Sequence, residues 1–304
     1  MPRPSLVFFN EQPDSALAAT VTPTVVTQLR LLRAGVAMAL LDLSDERAAT
    51  VRQLEAAGVP VHAWLLVPRD EGYFATHHNA PAVERAYDAF LAWRARHQLS
   101  MKTVGLDFEP DVRDLDVLMG SPVRTLGRWL TSRTRGRALE AALGAYRALV
   151  RRMQAEGFVV ETYQFPLVLD DRLAGTRFWQ RTLGVLDVEA DRQVFMLYTS
   201  LMGAAGPGLL ARYAPHTRAL GVGSTGGGID PFPKLTRPEL ERDLVIAARW
   251  AKEVYLFSLE GCVTQGLTDG LISMEWDRPV VSGRQARVLA GAAGLALRHL
   301  ARLG

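Results

Sequence analysis

Residues 43–67 read LSDERAATVRQLEAAGVPVHAWLLV, and this stretch holds one complete helix-to-strand unit. Ser44 is a favoured N-cap type, and the acids Asp45 and Glu46 behind it suit the positive end of a helix dipole. The helix predicted over Asp45–Ala57 stops at Gly58, which takes left-handed backbone readily, and the apolar run Val61–Val67 then predicts a strand. RAGVAM repeats that transition at Gly35 and AEGFVV repeats it at Gly157. Reading outward, strands are predicted at Leu6–Asn10, Val36–Asp42, Val61–Val67, Thr103–Glu109, Phe158–Gln164, Val194–Tyr198, Ala219–Gly223 and Val254–Glu260. Amphipathic stretches lie between them, at Thr24–Ala34, Asp45–Ala57, Ala82–Arg96, Ala138–Glu156 and Pro238–Lys252. Short, nearly continuous apolar runs are what parallel strands covered on both faces require. Eight alternations without a linker predict an α/β fold, a (β/α)8 TIM barrel over residues 1–304 as one domain, rather than an open doubly wound sheet. Pro110–Arg137 is expected to form a long insertion after strand four, with a helix near Leu115–Leu130. Arg284–Leu303 is expected to add a C-terminal helix.

Composition narrows the function. The 304 residues carry 35 basic and 32 acidic side chains, a net charge of +3, with the cations dispersed. Nucleic-acid binding needs a concentrated positive face, so none is expected. Cys262 is the one cysteine, which rules out an intrachain disulfide and a cysteine metal cluster. No apolar run reaches the length of a membrane helix, and the start MPRPSLVFFNEQPD lacks a signal-like pattern, so a cytoplasmic protein without a membrane partner is expected. Oligomeric state is open.

In a (β/α)8 barrel the chemistry sits at the C-terminal ends of the strands. Those ends supply Asn10-Glu11, Asp42, Trp64, Asp107 with Glu109, Glu161 with Tyr163 and Gln164, Tyr198, Ser224 within Gly223–Gly228, and Glu260. Strand four, TVGLDFEPD, is the most informative. Alternation puts Gly105, Asp107 and Glu109 on one face and Val104, Leu106 and Phe108 on the other. With the apolar set against the helices, two carboxylates point inward at the mouth, where their proximity pushes one toward the protonated form a general acid needs. The alternative role for such a pair is a bridge to arginine or a helix cap. On strand eight, Tyr255, Phe257 and Leu259 fit the helix-facing set, which turns Ser258 and Glu260 inward. Glu260 then serves either as a second carboxylate or as a helix-capping acid before Gly261. Asn10, Asp42, Glu161, Gln164 and Ser224 are expected to bind substrate. Tyr163 and Tyr198 offer hydroxyls and Trp64 a stacking platform, or they are plain core.

The glycine-rich loop GVGSTGGGIDPF follows strand seven, where barrels often bind phosphate through backbone amides, yet it lacks the lysine and spacing of a P-loop. His77 and His78 suggest a metal only on inspection. Adjacent histidines diverge on extended chain and no third ligand follows at suitable spacing, so neither a metal nor a cofactor is expected.

The residues of strand four also resemble a known family. Chitinase-like family 18 glycoside hydrolases end this strand with Asp-Gly-x-Asp-x-Asp-x-Glu, and TVGLDFE is similar to the last part of that pattern. Tyr198 in MLYTS is similar to the tyrosine of the family's Met-x-Tyr-Asp segment. The resemblance implies a barrel, Glu109 as proton donor, Asp107 orienting a substrate acetamido group, and Tyr198 assisting. The chain departs from the pattern at Lys102, Thr103, Gly105 and Thr199, and no clear strand-eight tryptophan follows Tyr255.

Three functions follow. The leading one is hydrolysis of a glycosidic bond in a soluble saccharide, with Glu109 protonating the leaving oxygen and Asp107 or Glu260 stabilising the oxocarbenium-like centre. The second is a lyase, isomerase or aldolase on a phosphorylated metabolite held by Gly223–Gly228. The third is a non-catalytic saccharide-binding barrel.

Overall fold

The computed structural model describes residues 3–111, 136–227 and 233–280, with positions 291, 295, 299 and 302 of the C-terminal stretch, all four helical. Its eight parallel strands close a TIM barrel in the order β1 to β8. They are β1 (Ser5–Asn10), β2 (Gly35–Ala39), β3 (Val61–Leu65), β4 (Thr103–Phe108), β5 (Val159–Gln164), β6 (Arg192–Met196), β7 (Ala219–Gly223) and β8 (Glu253–Phe257). The helices among the described residues are α1 (Asp14–Thr20), α2 (Pro23–Leu32), α3 (Asp45–Ala56), α4 (Ala80–Arg96), α5 (Gly136–Ala155), α6 (Leu167–Ala174), α7 (Phe178–Leu183), α8 (Gly206–Tyr213), α9 (Arg237–Ala248), α10 (Leu259–Thr264) and α11 (Leu267–Ile272). The insertion helix expected at Leu115–Leu130 lies outside the described residues, as does most of the expected C-terminal helix.

The local signals act as their chemistry dictates. The Ser44 hydroxyl accepts from the Arg47 amide at 3.1 Å to start α3, and Gly58 takes φ 75° after it. Thr236 and Glu239 form a reciprocal capping box on α9. Five strands stop short of the predicted ends, β4 at Phe108 and β6 at Met196 among them. β2 ends at Ala39 because the segment behind it turns to present Asp42 to Ser44 and Arg47. β3 ends at Leu65. β8 ends at Phe257, and Ser258 caps α10 by accepting from the Gly261 amide at 3.2 Å.

Two apolar layers result. Leu6, Phe8, Val36, Val104, Leu106, Phe108, Val254 and Leu256 pack between sheet and helices, whereas Val7, Phe9, Trp64, Tyr163, Tyr198, Tyr255 and Phe257 fill the barrel. The strand-four alternation therefore holds. The expected facing of strand eight does not: Tyr255 and Phe257 point inward. Residues paired across parallel strands share a face, and Tyr255 pairs with Val7 and Phe257 with Phe9, both interior. EVYLF has too little alternation to reveal this, since both faces of the strand are buried. Phe9 is the interior hub, with ring centroids 4.9 Å from Tyr163, 5.1 Å from Trp64 and 5.5 Å from Tyr255. Each such aromatic pair contributes about 0.5–1.5 kcal/mol beyond its buried area.

Candidate active site

The C-terminal rim gathers three acids and a tyrosine. Asp107 points inward from β4 and is 1% exposed; burial first, then Glu109 and Glu11, push its carboxyl well above the usual range. The Trp64 indole, close to the carboxyl, opposes that shift, although by strict geometry neither Trp64 Nε1 nor Asp107 Oδ1 has a hydrogen-bond partner among the described residues. Glu109, just past the strand and partly buried, is raised to about 8 by burial and by the charge of Glu11. Glu11, the first residue beyond β1, is raised by burial, against which the Tyr73 hydroxyl and Arg69 act. Tyr198 follows β6. Burial, then Glu109, Asp107 and Glu11, hold its phenol well above the usual value. A partly protonated cluster at neutral pH is the consequence, because desolvated carboxylates that repel one another cannot all ionise.

The segment between β3 and α4 builds one wall of this cluster. Asn79 anchors it, donating to the carbonyls of Glu71 and Phe74 and accepting from the Thr76 amide and the Tyr146 hydroxyl. Gly72 is required at its turn, with φ 111° and Asn79 Nδ2 only 2.9 Å from where a Cβ would sit. The Ala75 amide then donates to the Asp107 carbonyl at 2.7 Å, and the Tyr73 hydroxyl donates to Glu11. Beside Glu11 a groove of about 380 Å³ opens, walled by Leu40, Leu66, Pro68, Arg69 and Tyr73.

Glu260 sits in the first turn of α10, 6% exposed, and burial raises it to about 7. Its carboxylate accepts from Asn10 Nδ2 at 3.0 Å and from the Glu11 amide at 3.2 Å. It therefore ties the end of β1 to the end of β8, and the acid that acts electrostatically on Asp107 and Glu109 is Glu11. Sequence reasoning named Glu11 among the strand ends but gave it no role. The available signal was its place as an acid directly after a barrel strand.

The glycine-rich loop turns in on itself. Ser224 N–H donates to Ser200 Oγ, Thr225 N–H to the Phe257 carbonyl and Gly226 N–H to Ser224 Oγ. Gly227 packs so closely that a Cβ there would meet Glu260 Oε1 at 2.5 Å. Those three amides are thus already engaged within the protein; Gly228 lies outside the described residues. Ser224 joins this internal network and is 4% exposed.

Five expected substrate residues are placed elsewhere. Asp42 is held by Arg47, which is itself fully buried, through bonds of 2.6 and 3.0 Å. Burial resists its charge, but Arg47 and Ser44 lower the carboxyl to about 2, so it serves the start of α3. Trp64 is 3% exposed inside the barrel and offers no open stacking face. Gln164 shares the outer face of β5 with Val160 and donates to the Val188 carbonyl. Glu161 lies low in the barrel, where β5 pairs with the first residue of β6, and Tyr163 bends toward it, donating at 3.1 Å. The phenol crosses the space over Gly105, where a Cβ would come within 2.3 Å of its hydroxyl. Gly105 is the position at which the family 18 pattern has its middle aspartate, so here a tyrosine from the neighbouring strand fills that volume. His77 Nδ1 lies 3.0 Å from the Gly184 carbonyl, and its ring lies 3.6 Å from that of His78 at a 42° tilt.

No family model and no curated protein matches the chain. Among solved structures it is similar to a GH18 chitinase from Pseudoalteromonas aurantia, with TM-score 0.55 and 8% identity over 89% of this chain and 100% of that one. It is also similar to the PgaB (BpsB) glycoside hydrolase domain from Bordetella bronchiseptica, with TM-score 0.52 and 12% identity over 91% of this chain and 100% of that one. An L-ribulose 3-epimerase aligns at TM-score 0.45 and 12% identity over 98% of this chain and 96% of that one. At such identities the shared property is the barrel, and the chain bears a distant resemblance to glycoside hydrolase barrels of the family 18 kind.

Proposed function

We propose that this barrel hydrolyses a glycosidic bond in a small or oligomeric saccharide, with Glu109 as general acid. The observation that carries the reading is the elevation of Glu109 to about 8 beside a buried Asp107 that has an unpartnered oxygen. A carboxyl in that range keeps its proton at neutral pH and can deliver it to a leaving oxygen. In this reading Asp107, held by β4 and by the Ala75 amide on its own carbonyl, orients a substrate group, and Tyr198 acts beside the same acids. The fold-level likeness to two glycoside hydrolases agrees with this chemistry without specifying sugar or linkage.

A panel of aryl glycosides and amino-sugar oligomers tests it. Cleavage of one member by the wild type, lost in Glu109→Gln with saccharide binding retained, is the expected result. Binding without turnover in the wild type would make the barrel a saccharide-binding module, and full activity in Glu109→Gln would remove Glu109 from the mechanism.

A further inference from the structure

A glycosidase needs more than a proton donor. The sugar ring becomes positively charged as the bond breaks, and an ionised carboxylate beside it stabilises that charge. Asp107 and Glu109 are poor sources of the charge. Among the described residues, no cation acts on the buried Asp107 and nothing opposes the rise of Glu109. Glu260 is turned to Asn10 and the Glu11 amide. Glu11 differs from all of these. The Tyr73 hydroxyl donates to its carboxylate, and Arg69, whose guanidinium lies 4.8 Å from the Tyr73 ring centre, favours its ionised form.

Placement supports the same choice. The Tyr73–Ala75 segment touches Glu11 at one end and the Asp107 backbone at the other, so one rigid turn sets both acids. The groove of about 380 Å³ is bordered by Glu11 and not by Glu260. Asp107, 1% exposed, does not line that groove, but one of its oxygens lacks a hydrogen-bond partner among the described residues and its backbone is held by the same segment.

We propose that Glu11 is the second catalytic carboxylate, the ionised partner of Glu109, and that it faces the sugar ring from the groove walled by Arg69 and Tyr73. This rests on the glycosidase reading. The groups that face Glu11 are Tyr73 and Arg69 from the β3–α4 segment, Asp107 and Glu109 from β4, and Tyr198 from beyond β6. Among them, only Arg69 and the Tyr73 hydroxyl oppose the burial that raises Glu11, and neither is among the influences on Asp107 or Glu109.

The test compares Glu11→Gln, Glu260→Gln and Glu109→Gln on an aryl glycoside that the wild type cleaves, with thermal melts confirming that each variant folds. Glu11→Gln is expected to lower kcat by about 10²–10³ with KM changed only a few-fold, the effect of removing one preorganised electrostatic group. It should also move the basic limb of the kcat/KM profile to lower pH, because Glu109 loses a repelling neighbour. Glu260→Gln should lose less. Tyr73→Phe leaves the carboxylate in place and should cost about 2–10-fold, the worth of one hydrogen bond. Wild-type kcat and an unmoved basic limb in Glu11→Gln, with Glu109→Gln inactive, would overturn this assignment and leave the glycosidase reading standing. If the wild type cleaves no glycoside, that reading falls instead. Carboxyl NMR titration then decides the ionisation order separately: Glu11 charged at pH 7 while Glu109 is protonated upholds it, and Glu11 protonated at pH 7 overturns it.

Discussion

Two buried acid clusters occupy the two ends of one barrel, and they behave oppositely. At the base, Glu161 accepts from the Tyr255 hydroxyl at 2.6 Å and the Tyr163 hydroxyl at 3.1 Å, lies 3.2 Å from His62 Nδ1 and pairs with Arg192, which also binds Glu253. Burial works against its charge, but His62, Arg192 and Tyr255 outweigh burial and lower its pKa. At the rim, Glu11, Asp107 and Glu109 are all raised, and Asp107 keeps an oxygen without a partner. Asp107 is as deeply buried as Glu161, and what differs between them is the partners. A fully satisfied acid is a structural part, and an unsatisfied one among like charges is where chemistry concentrates.

Removing one acid from each end breaks the comparison most directly. Glu109→Gln should lower kcat by about 10²–10⁴, the usual worth of a positioned general acid, with no loss in melting temperature. Glu161→Gln should do the reverse. It leaves Arg192 and His62 without their buried anion, and breaking such a pair costs about 3–5 kcal/mol. Urea unfolding measures that loss, and an unchanged midpoint would mean that the base cluster contributes nothing.

Stability against pH separates the ends again. The folded state raises Glu109 from its ordinary 4.5 to about 8, so folding takes up a proton in that window. Its contribution is fully present below pH 4.5 and declines as pH rises toward 8. Glu161 is lowered, so its contribution is present above its ordinary range and is lost as acid protonates it. Glu109→Gln should therefore gain stability relative to the wild type between pH 5 and pH 9, whereas Glu161→Gln should narrow its deficit only below pH 4.5. Equal pH slopes for the wild type and Glu109→Gln would contradict the raised Glu109. The smallest effect expected is that of Tyr198→Phe, a loss of about 2–10-fold in turnover with an unaltered melt, since one hydroxyl is removed. A steep melt change with unchanged turnover would make Tyr198 a core residue.

The barrel and the β4 acids were legible because their signals are local. Ser44, Gly58 and the eight apolar runs each act over a few residues, and the alternation in TVGLDFE assigns faces directly. The height of a residue in the barrel is not local. Glu161 and Tyr163 precede a strand end by only a few positions, yet the register with β4 and β6 puts the carboxylate at the base and draws the phenol down to it. Gln164 has the right height and the wrong face. Tyr255 and Phe257 lie in a run apolar on both sides, so only the pairing with β1 fixes where they point. Glu11 stood at a strand end in the sequence, but its role was hidden because its partners, Tyr73 and Arg69, come from a segment some sixty residues away.

The interlock of Gly105 with Tyr163 constrains the order in which this barrel can change. A side chain at 105 collides with the phenol before it reaches the active-site mouth. Shrinking Tyr163 alone empties the centre of the aromatic interior and deprives Glu161 of a donor. Either step is costly by itself, while the two together exchange one filled volume for another, so their effects are strongly non-additive. A path from this sequence to one with an aspartate at 105 therefore crosses a valley unless position 163 is relieved first, with compensation at Glu161. The same argument applies in reverse to a barrel that starts with the aspartate. Sequences of this kind should carry glycine at 105 and tyrosine at 163 as a unit, kept or lost together.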